Sequence, residues 1–209
     1  MPRTNSAIPT GGIEQRIGLF GGTFDPVHNG HLIIAETIRD RCKLDKIFFI
    51  PANIHPLKDN HTIQSARHRL KMLRLAVAKN TGFAVSAFEL NRPEVSYSID
   101  TVRHFRSQFP PPSHALFFLL GADNVNQFHL WKSPDALVQL CRFIAFRRPG
   151  FQLASEAQRY ISHFDFVDAP LLEISATTIR EQVKQGFSIR YLVPAAVEKY
   201  IYANALYTS

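Results

Sequence analysis

The fold of this chain is decided by residues 21–31, which read GGTFDPVHNGH. A short apolar run at residues 17–20, typical of a strand, precedes them, and apolar residues at helical spacing follow them. The sequence therefore predicts a strand, a glycine turn and a helix that begins near Asn29 and Gly30. Gly21 and Gly22 let the backbone of the turn approach a ligand closely, because they carry no Cβ.

The predicted helix start is suited to binding an anion. The first N–H groups of a helix and the positive end of its dipole point back towards the preceding turn. His28 lies just before this helix and His31 in its first turn, so both imidazoles can donate hydrogen bonds to phosphate oxygens. Two histidines at this spacing could also form half of a metal site, but the sequence offers no partner cluster at ligand spacing. Phosphate binding is the favoured interpretation.

The composition indicates one globular α/β domain. The chain has 209 residues, of which 45% are hydrophobic. We expect a flexible tail at residues 1–12, without the apolar core of a secretory signal, and a single domain at residues 13–209 with a helical C-terminal part from about 175. No apolar run approaches the roughly 18–20 residues that cross a membrane. Cys42 and Cys141 have no motif spacing, so we expect buried thiols in a reducing cytoplasm.

The formal net charge of +7 is compatible with several anionic partners. The chain has no long Lys/Arg block and no alternation of basic and aromatic residues of the kind that binds single strands. Attraction of anionic nucleotides into a cleft explains the charge about as well as nucleic-acid binding does, and simple solubility explains much of it. We therefore expect no nucleic-acid partner and no membrane partner.

Apolar runs and helical patterns alternate along the rest of the chain. This alternation predicts a parallel sheet with helices on both faces. The predicted strands cover residues 46–51, 83–88, 115–120, 142–146 and 164–167, and the predicted helices cover residues 64–79, 98–108, 152–163, 175 onwards and 194–202. The tight turns and polar loops after the strands are the places where a parallel sheet binds ligands.

Several residues near these strand ends have both a functional and a structural interpretation. Lys58 could contact phosphate or be an ordinary loop lysine, and Asp123 could accept a ribose hydroxyl or cap the next helix. Trp131 could offer a stacking platform or belong to the core. Ser98 is the predicted N-cap of its helix, and Arg69 is expected to face solvent.

A second helix start resembles the first in its chemistry. Ser175 is the predicted N-cap of the helix near residue 175, Thr177 and Thr178 follow it, and Arg180 lies in the next turn. Hydroxyl groups and a guanidinium at a helix start can also bind an anion. This pattern alone is a weak signal, because serine before a helix is common.

Residues 21–31 resemble the signature of the nucleotidyltransferase superfamily, which contains His-x-Gly-His after a glycine turn. With further matches the resemblance extends from about residue 17 to 207, and it is specifically to the bacterial nicotinate-nucleotide adenylyltransferases. These matches are at residues 96–98, 121–123, 131–132, 147–150 and 174–180. The resemblance implies a Rossmann-like, doubly wound, mostly parallel sheet. It also implies adenylyl transfer from ATP to nicotinate mononucleotide, with Mg²⁺, giving nicotinate adenine dinucleotide and pyrophosphate in NAD biosynthesis.

The resemblance implies a role for each matching residue. It assigns the phosphates to three cationic or donor side chains, namely His28, His31 and Arg180. It assigns the ATP cleft to Phe20, Gly21, Gly22, Thr23, Phe24, Asp123, Ile174 and Ser175. It assigns nicotinate mononucleotide to Lys58, Ser98 and Trp131, and it leaves Mg²⁺ to the ATP phosphates rather than to protein ligands. The chain departs from the family at Leu57, where a histidine is usual.

Other functions stay open from the sequence. Relatives in the superfamily transfer nucleotides to pantetheine phosphate or form cytidylyl products, and Trp131 with the loop at residues 96–98 argues against both. An acceptor with an amide in place of the nicotinate carboxylate is harder to exclude. A non-catalytic nucleotide sensor or a nucleic-acid binder is a further alternative. The oligomeric state, including a homo-oligomer, is not settled by the sequence.

Overall fold

A computed structural model describes residues 15–54, 63–147, 152–170 and 172–208. Six strands form its sheet: β1 (Gln15–Gly22), β2 (Lys46–Pro51), β3 (Phe83–Val85), β4 (His114–Gly121), β5 (Arg142–Arg147) and β6 (Phe164–Asp168). Its α-helices are α1 (Asn29–Arg41), α2 (Ala66–Val77), α3 (Ser98–Gln108), α4 (Asp123–Asn126), α5 (Pro134–Leu140), α6 (Ala176–Lys184) and α7 (Ala195–Ala203). Two 3₁₀ segments cover Phe128–Leu130 and Ser155–His163.

All neighbouring strands pair in parallel, in the order β3-β2-β1-β4-β5-β6. Successive side chains of a strand point to opposite faces of the sheet, so the apolar strand β4 contributes side chains to the buried clusters on both faces. Phe117 and Leu119 belong to one buried cluster, whereas Leu116, Phe118 and Leu120 belong to the other. The prediction of a Rossmann-like parallel sheet covered on both faces is confirmed.

The strand order reverses between β1 and β4, which are neighbours in the sheet. At such a reversal the chain segments that follow the two strands run to opposite sides of the sheet, and a crevice opens between them at the carboxyl ends of the strands. β1 ends at Gly22 and β4 ends at Gly121. The turn of residues 21–31 and the segment after Gly121 therefore meet at one edge of the sheet.

Four local predictions are wrong in detail. Strand β3 ends at Val85 rather than at residue 88. Ser98 is the first residue of α3, and the N-cap is Tyr97, whose side chain makes no capping bond. Asp123 does not cap α4, since the N-cap is Ala122. Cys42 is only half-buried. These errors concern the ends of elements and leave their order unchanged.

The expectation that Arg69 faces solvent is also wrong. The side chain is 2% exposed and donates to three backbone carbonyls, those of Thr23 (2.9 Å), Ala52 (2.7 Å) and Gln64 (3.0 Å). Two of these partners, Thr23 and Ala52, lie 46 and 17 positions away in the sequence, so a helical pattern could not reveal them. A buried guanidinium therefore joins the turn after β1 to the segment after β2.

Within the described ranges, no helix has the length and apolar character needed to cross a membrane.

Phe128 is a test of the core on the α3 side of the sheet. Its fully buried ring contacts the rings of Phe143 (4.8 Å between centroids), Tyr160 (5.1 Å) and Phe164 (5.1 Å). Phe128→Ala should lower the free energy of unfolding by about 3–5 kcal/mol, because it leaves a cavity. Leu130→Ala, in the same turn but 72% exposed, should change it by less than about 0.5 kcal/mol. Equal losses for the two variants in urea unfolding would contradict this assignment.

Candidate active site

The turn after β1 places His28 at the start of α1. His28 is the N-cap of the helix and is 6% exposed. Its ring lies over Gly30: a Cβ added there would be 3.0 Å from Nδ1 of His28 and 3.6 Å from Cβ of Ile174. Any larger residue at position 30 would push the imidazole away, which explains why a glycine separates the two histidines.

His31 stacks on His28, with ring centroids 3.6 Å apart and planes inclined by 24°. The backbone N–H of His28 donates to Nδ1 of His31 at 3.3 Å. Since Nδ1 accepts, a neutral His31 carries its proton on Nε2. Phe24 and Phe20 contact the same ring edge-on, at 5.0 Å and 6.2 Å between centroids. His31 is thus held as an oriented hydrogen-bond donor.

His28 is neutral near pH 7, in contrast to the expectation that it supplies positive charge. Burial lowers the pKa of its imidazole from 6.5 to about 4. Nδ1 is buried and has no hydrogen-bond partner within the described part of the chain. A bare lone pair is cheaper to bury there than an N–H, so the proton belongs on Nε2. His28 can therefore donate to a phosphate oxygen as a neutral group.

The first N–H of α1 is already occupied, which the sequence did not indicate. The N–H of Asn29 donates to the carbonyl of Leu192 at 2.8 Å, and its side-chain amide donates to the carbonyl of Tyr191 at 2.6 Å. Asn29 therefore fastens the helix start to the segment before α7. The two imidazoles, rather than this N–H, are the donors that the turn can present to a ligand.

The second helix start lies beside the first, with Ile174 close to Gly30. Ser175 caps α6 and accepts from the N–H of Thr178 at 3.0 Å, so the predicted N-cap is confirmed. Arg180 is half-buried, and its Nη1 donates to the backbone carbonyl of Asp25 at 2.9 Å while Nη2 donates to Thr177 Oγ1 at 3.3 Å. Among the described residues no carboxylate pairs with Arg180, so its charge is available to an anion.

Asp25 occupies a central position that sequence reasoning missed. Its side chain is 3% exposed, and both carboxylate oxygens are used. Oδ1 accepts from the Tyr207 hydroxyl at 2.6 Å, and Oδ2 accepts from the N–H of Gln64 at 3.1 Å. Asp25 thus joins the turn after β1 to the entry of α2 and to the segment after α7. Only its place within residues 21–31 marked it in the sequence.

The residues expected at the acceptor side lie close to one another. Trp131 is half-buried and packs edge-on to Phe118 at 5.8 Å between centroids. The next residue, Lys132, places Nζ 4.2 Å from the centre of the Tyr97 ring and 3.9 Å from Oδ2 of Asp100. This contact joins the Trp131 segment to the start of α3, where Ser98 lies.

A buried acid supports the loop before α3. Glu89 is 8% exposed and accepts a short hydrogen bond from the hydroxyl of Thr101. Burial raises the pKa of its carboxyl above the usual value. Ser96 in turn accepts from the N–H of Asn53 at 3.0 Å, which holds the loop against the end of β2. No periodic pattern in the sequence indicates this cluster.

The remaining predicted residues divide into two groups. Asp123 is exposed on the first turn after β4, at the same edge of the sheet as the histidines. Lys58 and Leu57 lie outside the described residues, as do the tail at residues 1–12 and residues 148–150. The described residues contain no group of three or more His, Cys, Asp or Glu side chains placed to hold a metal ion.

The buried imidazole predicts a pH-dependent stability. Because the pKa of His28 is about 4 in the folded protein and about 6.5 in the unfolded chain, the unfolded chain binds more protons between these values. The stability that the buried neutral His28 contributes is therefore fully present above pH 6.5 and is lost as the pH falls towards 4. Between pH 7 and pH 5 wild type should lose about 2 kcal/mol more than His28→Gln. Urea unfolding at the two pH values measures the difference, and the exposed His129→Gln is the control. A wild-type slope equal to that of His28→Gln would contradict the assignment.

Comparison with known proteins agrees with this geometry. The cytidylyltransferase-like family model matches residues 19–182. A probable nicotinate-nucleotide adenylyltransferase of Moorella thermoacetica is 41% identical over 199 residues, covering 92% of this chain and 91% of the relative. The nicotinate-nucleotide adenylyltransferase of Bacillus subtilis is 39% identical over 195 residues, covering 93% of this chain and all of the relative (100%).

A solved structure with the same fold has a more distant sequence. The nicotinic acid mononucleotide adenylyltransferase of Plasmodium falciparum, solved in complex with NaAD, has a TM-score of 0.74 at 18% identity, covering 92% of this chain and 97% of that one. At this identity the likeness concerns the fold alone. The family model and the two bacterial relatives show more: this chain belongs to the nicotinate-nucleotide adenylyltransferases, a family of cytidylyltransferase-like enzymes.

Proposed function

We propose that this enzyme transfers the adenylyl group of ATP to nicotinate mononucleotide, giving nicotinate adenine dinucleotide and pyrophosphate. The observation that carries the proposal is the stacked pair His28 and His31 at the start of α1, together with the guanidinium of Arg180, which has no carboxylate partner among the described residues. Two imidazoles, of which that of His28 is neutral, and one guanidinium lie where a helix start already favours negative charge. Such a set fits a polyphosphate.

In this reaction the protein mainly positions the two substrates and stabilises charge. The acceptor phosphate is mostly dianionic at pH 7, because its second pKa is about 6. It attacks the α-phosphorus of ATP without a general base, and pyrophosphate leaves. The protein aligns the two groups and stabilises the charge that develops on the leaving oxygens. In the proposed mechanism His28, His31 and Arg180 donate to those oxygens and Ser175 keeps the start of α6 in place.

We propose that Mg²⁺ enters with the ATP phosphates. Mg²⁺ in proteins is commonly held by substrate phosphates, water and one or two carboxylates. Asp25, the one carboxylate within residues 21–31, is 3% exposed and already accepts a hydrogen bond at each oxygen. When bound, the ion would neutralise phosphate charge. Mg²⁺ prefers oxygen ligands, whereas imidazole and guanidinium N–H groups are donors that suit phosphate oxygens.

The assignments for the rest of the cleft rest on position. Phe20, Gly21, Gly22, Thr23, Phe24 and Ile174 surround the two helix starts, and we assign them to ATP. Asp123, at the head of α4, is assigned to a ribose hydroxyl. Ser98 and Trp131, joined by the contact between Lys132 and Tyr97, are assigned to the nicotinate group, and Lys58 to its phosphate.

The cellular setting is part of the proposal. Cys42 and Cys141 are free thiols, which supports a reducing cytoplasm. Burial raises the pKa of Cys141 to about 12, so this thiol is inert near pH 7. We propose that ATP and nicotinate mononucleotide, rather than nucleic acid, account for the positive charge of the protein.

Pyrophosphate release with ATP and nicotinate mononucleotide is the test of the function. Purified protein should release pyrophosphate with the acid and much less with nicotinamide mononucleotide, because the site is assigned to a carboxylate. The measured quantity is kcat/KM for each acceptor. Absence of release with either acceptor would refute the function, and equal values would refute the assignment of a carboxylate site.

His31→Ala should lower kcat at least about 100-fold, the scale of removing one oriented donor from a transition state. His163→Ala is a matched control, because His163 precedes β6 at the opposite, amino edge of the sheet. It should leave kcat within twofold. Turnover of His31→Ala close to wild type would remove His31 from the mechanism.

Trp131→Ala should raise the KM for nicotinate mononucleotide about tenfold or more, since stacking of a base on an aromatic ring contributes about 1–3 kcal/mol. The KM for ATP should change less than twofold. Trp131→Phe keeps a ring and should retain most of the affinity. Initial rates with one substrate varied at a time separate the two constants, and a parallel rise of both would argue for a core role instead.

A further inference from the structure

Asp25 and Tyr207 are linked across almost the whole chain, and the proposed function does not yet use this link. The Tyr207 hydroxyl donates to Oδ1 of Asp25 at 2.6 Å, although 182 positions separate the two residues. Both side chains are buried, at 3% and 7% exposure. A short, water-excluded hydrogen bond to a carboxylate is among the stronger ones in proteins. It therefore constrains where Asp25 can lie.

The backbone of Asp25 passes this constraint to the phosphate site. Its carbonyl accepts from Nη1 of Arg180 at 2.9 Å. The other guanidinium contact is a longer bond, 3.3 Å, to Thr177 Oγ1 on the same helix. The carbonyl of Asp25 is thus the contact that places Arg180 relative to the turn bearing His28. A shift of Asp25 would shift the guanidinium with it.

The surroundings keep Tyr207 a donor. Burial and the carboxylate of Asp25 raise the pKa of the Tyr207 hydroxyl, so it stays protonated. Arg69, whose Nε and Nη1 donate to backbone carbonyls, supplies positive charge near the buried carboxylate. Gln64 contributes its N–H to the other oxygen. Removal of the hydroxyl leaves one carboxylate oxygen without a donor.

The backbone of Tyr207 is strained. Its φ is +65°, a left-handed conformation that costs a bulky residue energy and persists only where surrounding contacts enforce it. The ring packs in the same buried cluster as Phe24 of the turn. The structure therefore holds this residue in an unfavourable conformation at the point where its hydroxyl reaches Asp25.

We propose that Tyr207 is a positioning residue for catalysis: its hydroxyl fixes Asp25, and the carbonyl of Asp25 fixes the Arg180 guanidinium for the ATP phosphates. The inference rests on the proposed function, since it assigns Arg180 to those phosphates. Tyr207 itself touches no reacting atom. Its effect must therefore depend on the presence of Arg180.

A double-mutant cycle tests this dependence. Tyr207→Phe should lower kcat about tenfold in the wild-type background and less than twofold in the Arg180→Ala background, because coupled residues are not additive. The KM for nicotinate mononucleotide should stay within twofold throughout. Tyr200→Phe is the matched control, because Tyr200 lies on the preceding helix α7. This substitution removes a hydroxyl that is hydrogen-bonded to Nδ1 of His68 at 2.9 Å, and it should leave kcat unchanged.

Two results would overturn the inference: a tenfold loss of similar size in both backgrounds, which marks a general effect on structure, or no loss in the wild-type background. Melting temperatures of the four proteins accompany the kinetics. If Tyr207→Phe does not fold, Asp25→Asn takes its place in the same cycle, with the same expected non-additivity and the same contradicting result.

Failure of the proposed function is distinguishable from failure of this inference. If wild type releases no pyrophosphate with nicotinate mononucleotide, the proposed function fails. The positioning of Arg180 is then tested by titrating ATP into the same four proteins. Tyr207→Phe should weaken ATP binding about tenfold in the wild-type background and less than twofold without Arg180, and equal weakening in both would reject the inference.

Discussion

The position of the two histidines at the start of α1 depends on the missing side chain of Gly30. A Cβ there would be only 3.0 Å from Nδ1, so the His28 ring, which stacks on His31, would have to shift. A Cβ here would lie 3.6 Å from Cβ of Ile174, an ordinary contact distance, so the start of α6 lies beside α1 whether or not position 30 is glycine. What the glycine provides is room for the His28 ring beside the helix start. The parallel sheet supplies the edge at which this helix start lies.

Sequence reasoning was most successful where the signal was local. The apolar runs predicted all six strands in order, and Ser175 was predicted as the cap of α6 because an N-cap bond spans only three residues. It failed for Arg69, whose carbonyl partners lie up to 46 positions away, and for Asp25, whose partner lies 182 positions away. Such contacts depend on tertiary packing, for which one sequence has no periodic pattern. The roles assigned to Ser98, Lys58 and Asp123 stay predictions.

The electrostatics of the site differ from those expected from three cationic groups. His28 is buried and neutral, and His31 accepts at Nδ1, so a neutral His31 also presents Nε2–H. Among these three groups, the fixed positive charge is that of Arg180. In the proposed function, a polyphosphate at this place would meet the neutral imidazole of His28 and the fixed charge of Arg180. Oriented donors of this kind can stabilise charge that develops in a transition state.

The separation of 182 positions between Asp25 and Tyr207 also concerns the time at which the site forms during synthesis. The turn of residues 21–31 leaves the ribosome early, whereas its carboxylate receives the tyrosine hydroxyl only after 182 further residues have been added. At about 5–20 residues per second, this interval lasts on the order of ten to forty seconds. Until then the nascent chain carries the turn of residues 21–31 without the hydrogen bond that Tyr207 supplies to Asp25. The turn therefore acquires this contact only after the whole segment from Asp25 to Tyr207 has been synthesised.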